Sequence, residues 1–260
     1  MIDSHAHLDC KPLHTNLLDV LQRTKQIPLC AIINVGANIQ SSRNSVQLAH
    51  QYPMIFASVG VHPDDIDELG SQDGQEQLEN LLQANKVVAI GEIGLDYYRL
   101  DPKDTIKKEK QQQYFRWQLQ LAKKYHLPVI IHSRNSAEDT FHIIQEEHPQ
   151  QAVMHCYAYD LGFAEQFLAL DENYMISFTG TITFPNAKTT QDVAQHIPLQ
   201  RMMIETDSPF LAPQVHRGKT NEPSYVIEVA KKIAELKQIS IEEVEKQTDQ
   251  NAFAFFHVAL

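Results

Sequence analysis

No apolar run in this sequence approaches the ~18 residues that a membrane-spanning helix needs. No basic stretch leads into an apolar one near the N-terminus, as a secretory signal would require. The chain is therefore expected to be cytoplasmic, with no membrane partner. Cysteine is scarce: Cys10, Cys30 and Cys156 are odd in number and far apart, which argues against a disulfide framework and weakens a structural thiolate-zinc account. Cys156 follows His155 and reads either as a small buried thiol or as an extra ligand. No Gly/Ser-rich or Pro-rich tract divides the chain, and the polar stretch Ser71-Gln72-Asp73-Gly74 reads as a loop, so residues 1–260 are expected to form a single domain. Cationic residues are also few, 22 Lys and Arg against 33 Asp and Glu, for a net charge of -11. That balance excludes a broad basic surface for long duplexes. It is compatible with carboxylates that gather divalent cations and become locally cationic once loaded.

What the sequence does contain is a series of short apolar or β-branched runs, at residues 2–4, 29–34, 55–59, 87–90, 128–131, 152–154, 174–178 and 201–204. Most lack polar alternation, as expected of parallel strands covered on both faces. Helical patterns fill the gaps. Between Glu222 and Gln238, Val226, Val229, Ala230 and Ile233 follow one stripe, with Pro223 near the first turn. Phe115, Leu119 and Ala122 mark a helix over 105–126 that Leu127-Pro128 ends, and a last helix is expected over 241–256. Eight β-then-α units in 260 residues predict an α/β fold of the (β/α)8 TIM-barrel class. A doubly wound sheet is the alternative, but no Gly-rich dinucleotide fingerprint follows the first strand.

The first run ends instead in His5-Ala6-His7, two imidazoles on one side of an extended backbone. Glu92, His132, His155 and Asp207 each follow another run, so the fold would collect all six at the carboxyl ends of strands 1, 4, 5, 6 and 8. Singly, each has an ordinary explanation as a hydrogen-bonded histidine or a capping carboxylate. Together, four histidines and two carboxylates exceed a closed mononuclear site. They suit two divalent ions bridged by one carboxylate, for which Glu92 is placed. Imidazole and carboxylate accommodate zinc, manganese or iron, and magnesium if it keeps its waters.

Other residues fall on the same rim. His62, in Val-Gly-Val-His-Pro, reads as a donor to a substrate oxygen or as a turn residue. Arg134, Arg217 and Lys219 read as phosphate-binding cations or as solvated charge. Asp96 reads as a partner orienting a ligand histidine or as a turn-stabilising carboxylate, and Glu205 as a ligand or its support. Tyr97, Tyr98 and Tyr157 read as stacking surfaces for bases or as packing residues.

Taken in order, Ile2-Asp3-Ser4-His5-Ala6-His7-Leu8-Asp9, Val59-Gly60-Val61-His62-Pro63, residues 89–98, Pro128-Val129-Ile130-Ile131-His132-Ser133-Arg134, Glu205-Thr206-Asp207-Ser208-Pro209 and residues 217–223 resemble the TatD family of metal-dependent deoxyribonucleases. The resemblance implies that His5, His7, Glu92 and Asp207 hold one metal and Glu92, His132 and His155 the other. One departure stands out: His155-Cys156-Tyr157-Ala158-Tyr159-Asp160 replaces the usual His-Cys-Phe-Ser-Gly-Ser, which bears on substrate preference more than on metal binding.

The function expected is hydrolysis of DNA phosphodiesters, single-stranded and of 3′-5′ exonuclease type, by a water activated between two ions (Mg, Mn or Zn). Asp207 would accept the proton, Glu92 would share the catalytic work, and His62, Arg134, Arg217 and Lys219 would hold the substrate. No obligate protein partner is expected. The alternative is an ester or amide hydrolase such as a D-aminoacyl-tRNA deacylase. Many carbonyl-hydrolysing relatives bridge their metals through a modified lysine, whereas Lys86 falls at the wrong end of its strand. A metal-stabilised scaffold without turnover is the third possibility.

Overall fold

The computed structural model describes residues 1–258. Its strands are β1 (Ile2–Ala6), β2 (Ala31–Val35), β3 (Ile55–Val59), β4 (Val87–Asp96), β5 (Val129–Arg134), β6 (Ala152–Met154), β7 (Tyr174–Phe178) and β8 (Met202–Ile204). The helices between them are α1 (Leu17–Thr24), α2 (Ile39–Gln51), α3 (Gln72–Leu81), α4 (Thr105–Tyr125), α5 (Ala137–Glu147), α6 (Leu161–Ala169) and α7 (Lys188–His196), and α8 (Val226–Lys237) and α9 (Ile241–Phe256) follow β8. The strands stand in chain order in one eight-stranded sheet with parallel pairings. Ala6 also bridges Ser208 in parallel, so the residues after the last strand return to the end of the first. This is the (β/α)8 TIM-barrel class that the count of runs predicts. Among the described residues no helix is long and apolar enough to cross a membrane.

Backbone packing divides the chain into two compact units. One comprises Met1–Asn34 and the chain from Cys156 onward. Its core includes Leu8, Ile32, Phe178, Phe255 and Phe256, all essentially inaccessible, with the Phe167 and Tyr174 rings stacked at 5.2 Å. Each such side chain removed from water contributes about 1.5–3 kcal/mol. The stripe Val226, Val229, Ala230 and Ile233 is buried as read, but Pro223 lies in a separate 3-10 turn, Pro223–Tyr225, ahead of α8.

The other unit is Val35–His155. Phe115, Leu119 and Ala122 of α4 are buried as their spacing predicts, and His126, in the left-handed conformation, closes the helix ahead of Pro128. Ser71-Gln72-Asp73-Gly74 is not a loop: the Ser71 hydroxyl accepts the Gly74 N–H and caps the start of α3. β4 runs six residues beyond the apolar run that announces it, and β5 continues through His132-Ser133-Arg134.

Gly94 explains why the end of β4 reads poorly. Its φ is +142°, and a Cβ there would sit 1.9 Å from the His132 carbonyl oxygen, so only glycine lets the two strands approach. Gly94 pairs in register with His132. Gly94→Ala is therefore expected to destabilise the metal-free protein by about 2–5 kcal/mol and to displace His132. Urea unfolding in EDTA measures the first effect and metal titration the second.

Candidate functional site

In the first unit, β1 carries His5 inside the strand and His7 just past its end, and Asp207 follows β8 by three residues. The backbone draws these strand ends together, since the Asp207 N–H donates to the His5 carbonyl at 2.9 Å and the His7 N–H to the Ser208 carbonyl at 2.7 Å. His5 Nε2 and His7 Nε2 face each other at 3.2 Å. Asp207 Oδ1 lies 3.4 Å from His7 Nε2 and 3.8 Å from His5 Nε2. Asp207 has φ +54°, a left-handed conformation that costs an aspartate energy and that tertiary contacts must enforce.

Those contacts come from residues that the motif reading does not single out. Asp3, fully buried, accepts the Thr206 N–H at 2.8 Å and the Thr206 hydroxyl at 2.6 Å, and burial pushes its pKa up to about 8. Asn221, also fully buried, donates to the Thr206 and Phe210 carbonyls at 2.8 and 2.6 Å. Together they clamp the residues on both sides of Asp207. Glu205 acts as support: its Oε1 accepts the Cys156 N–H at 2.7 Å and its Oε2 the Ser177 hydroxyl at 2.6 Å.

In the second unit, Glu92 lies within β4, His132 within β5, and His155 one residue after β6. Glu92 Oε1 is 2.7 Å from both His132 Nδ1 and His155 Nε2, and those nitrogens are 3.3 Å apart. Burial alone would raise the Glu92 pKa. The charges of His155 and His62 and hydrogen bonds from His132 and His155 outweigh it and hold the carboxyl well below the ordinary value. The other nitrogen of His132, Nε2, faces Asp96 Oδ2 at 3.2 Å. This is the carboxylate–imidazole pairing that orients metal-binding histidines. Burial lowers the His132 pKa, but the hydrogen bonds to Asp96 and Glu92 prevail and raise it above 6.5.

His62, after β3, packs edge-on against the His132 ring at 4.4 Å, with Nε2 3.8 Å from Glu92 Oε1. The Asp64 N–H donates to its Nδ1 at 3.1 Å, which fixes the neutral tautomer with the proton on Nε2. Burial, the largest cause, lowers its pKa and favours that form. Two glutamines on the buried face of α4 hold this rim. Gln118 bonds both the N–H and carbonyl of Val61, at 2.8 and 3.0 Å, and Gln111 bonds the Asp96 N–H and the Asp96 and Pro63 carbonyls. Their signal was present as polar residues on an otherwise apolar stripe.

The donor separations of 3.2 to 3.8 Å in the first cluster lie near those of donors sharing an ion, whereas the 2.7 Å contacts of Glu92 in the second are hydrogen bonds, with His132 and His155 facing each other at 3.3 Å. Ligands about 2.1 Å from a cation lie roughly 3.0–3.5 Å from one another. The donor set, imidazole and carboxylate without thiolate, suits a divalent ion in each cluster.

The Arg134 guanidinium lies 3.7 Å from the exposed Tyr98 ring, Arg217 lies over Phe184 at 5.2 Å, and Lys219 is exposed. Tyr97 and Tyr157 are structural: the Tyr97 hydroxyl donates to Asp139 Oδ2 and the Tyr157 hydroxyl to the Asp160 carbonyl, each at 2.8 Å. Tyr159, the bulky departure, packs edge-on against Tyr157 and Phe163.

Asp96→Asn is expected to weaken metal binding about 10- to 100-fold and to change its pH dependence. An ion competes with the proton on His132, so affinity rises as pH climbs through that residue's raised pKa. Removing the Asp96 charge moves this midpoint to lower pH. Calorimetric metal titrations between pH 5.5 and 8 measure both effects, and an unmoved midpoint would leave Asp96 a purely structural role.

The TatD-related DNase family model matches residues 2–257. An uncharacterized metal-dependent hydrolase of Bacillus subtilis, YabD, is 38% identical over 260 residues, covering 99% of each chain. An uncharacterized metal-dependent hydrolase of Escherichia coli, YcfH, is 36% identical over 265 residues, covering 99% of this chain and 96% of its own. Among solved structures, the TatD homologue YjjV of Escherichia coli superposes with a TM-score of 0.92 at 32% identity, covering 100% of this chain and 98% of its own. From end-to-end sequence likeness, a common fold and clusters of candidate metal-ligating side chains, the chain belongs to the TatD family of metal-dependent hydrolases.

Proposed function

We propose that the chain hydrolyses phosphodiester bonds of single-stranded DNA. The supporting observation is how Glu92 and Lys86 are engaged. Glu92 accepts from two ligand histidines, whereas the Lys86 ammonium donates to the Ala49, Tyr52 and Pro53 carbonyls at 2.7, 2.9 and 3.0 Å and lies over the Phe56 ring. Three carbonyl acceptors hold that lysine as a protonated cap for α2, which disfavours the modified-lysine bridge of carbonyl hydrolases.

His5, His7 and Asp207 would hold one ion and His132 and His155 the other. Glu92 as a shared ligand is carried by the family resemblance. Two such ions supply an acidified water and charge neutralisation for an attacked phosphate. Asp207 would orient and deprotonate the nucleophile. His62 Nε2–H would donate to a phosphate oxygen, and Arg134, Arg217 and Lys219 would attract the strand. A concave mouth takes a strand end more readily than the middle of a duplex.

Metal-dependent release of the labelled nucleotide from a 3′-labelled single strand tests this reading. Turnover of a D-aminoacyl-tRNA in its place would transfer the same ligands to carbonyl chemistry. Turnover of neither substrate, with both ions bound, would favour a scaffold role.

A further inference from the structure

Phe210 is an aromatic ring left 54% exposed beside a candidate metal ligand, with its centroid 6.1 Å from the His7 ring at an edge-on angle of 65°. Its backbone is fixed: the Phe210 N–H donates to the Asp207 carbonyl at 2.9 Å, and its own carbonyl accepts from buried Asn221 at 2.6 Å. The chain beyond it is equally constrained. Leu211 is held at φ +55°, a costly conformation for a bulky residue. Gly180 lies so close beneath that a Cβ there would meet the Leu211 carbonyl at 2.5 Å, and the Gln214 N–H donates to the Thr183 hydroxyl at 2.7 Å. A well-anchored loop thus holds a flat apolar face toward solvent next to His7, and the same loop carries the cations Arg217 and Lys219.

We propose that Phe210 is the stacking platform for the nucleobase adjoining the attacked phosphate, selecting unpaired nucleotides. The proposal rests on the nuclease reading above. Ring, metal ligands and cations match the three parts of a nucleotide in a strand: a base with a π-face, the phosphate under attack and the continuing backbone. A stacking contact tolerates any base, because every base has such a face. It rejects a duplex interior, where both faces are already covered. Tyr98, the other exposed aromatic near the candidate ligands, has one face covered by Arg134.

The test is a double-mutant cycle on binding, with wild type and Phe210→Ala, loaded with metal. The probes are a short single strand carrying 2-aminopurine at its 3′ end behind a phosphorothioate linkage, and the same strand with that base removed. Deleting the ring or the base is expected to weaken binding about 5- to 100-fold, and deleting both to weaken it little further. The 2-aminopurine fluorescence change seen with wild type is lost in Phe210→Ala and kept in Phe210→Trp. Additive effects of the two deletions, or unchanged binding by Phe210→Ala, would overturn the platform while leaving the nuclease reading in place. Failure of the metal-loaded wild type to bind or cleave any strand would remove that reading and the platform with it.

Discussion

Asp207→Asn is expected to lower kcat on a single-stranded oligonucleotide by about 10²- to 10⁴-fold, the range associated with a positioned proton acceptor. The substitution keeps the shape of the side chain and removes its charge. Asp3, Thr206 and Asn221 hold the segment through groups other than that carboxylate. The protein should therefore fold normally. His5 and His7 retain two donor nitrogens 3.2 Å apart, so the first ion should bind more weakly but still bind at saturating metal. Rates measured at saturating metal separate proton transfer from ion loss. Near-normal kcat there would remove Asp207 from the chemistry.

Glu92→Gln should act differently, through the ions themselves. The carboxylate oxygen that faces His132 and His155 at 2.7 Å would be replaced by a neutral amide, removing the anion that the facing nitrogens of the two imidazoles share. Turnover should fall at least about 10³-fold, and the bound-metal count should drop from two to one. The metal-free protein reports the same charge through pH. The Glu92 pKa is depressed in the folded state, so its contribution to stability is present above the ordinary value of 4.5 and is lost as pH falls through the depressed value. The stability difference between wild type and Glu92→Gln should therefore shrink as the solution is made more acidic than pH 4.5. Urea melts of EDTA-treated protein measure it.

How far the sequence alone reaches depends on the kind of residue. Strand 55–59 and helix 241–256 are found with the bounds expected of them, because a mostly apolar run marks the one and a stripe through Val244, Ala252 and Phe255 the other. The far halves of β4 and β5 are not, because close approach demands Gly94 and the ligands themselves replace apolar residues. The six candidate ligands are legible because histidine and carboxylate beside strand ends are chemically conspicuous. Their supports are less so. Asp3 and Asn221 act through hydrogen bonds to the backbone around Asp207 that no spacing announces, whereas Gln111 and Gln118 stand out in sequence only as polar residues on an apolar stripe. Phe210 shows the converse, an ordinary apolar residue in sequence that gains meaning from its exposure.

Crystallography of the metal-soaked protein, with anomalous scattering at the absorption edges of manganese and zinc, tests the central claim most directly. The account predicts two peaks per chain, one contacting His5, His7 and Asp207 and the other Glu92, His132 and His155. Full occupancy by ions at other residues, or hydrolysis that persists with both clusters free of metal, would contradict it.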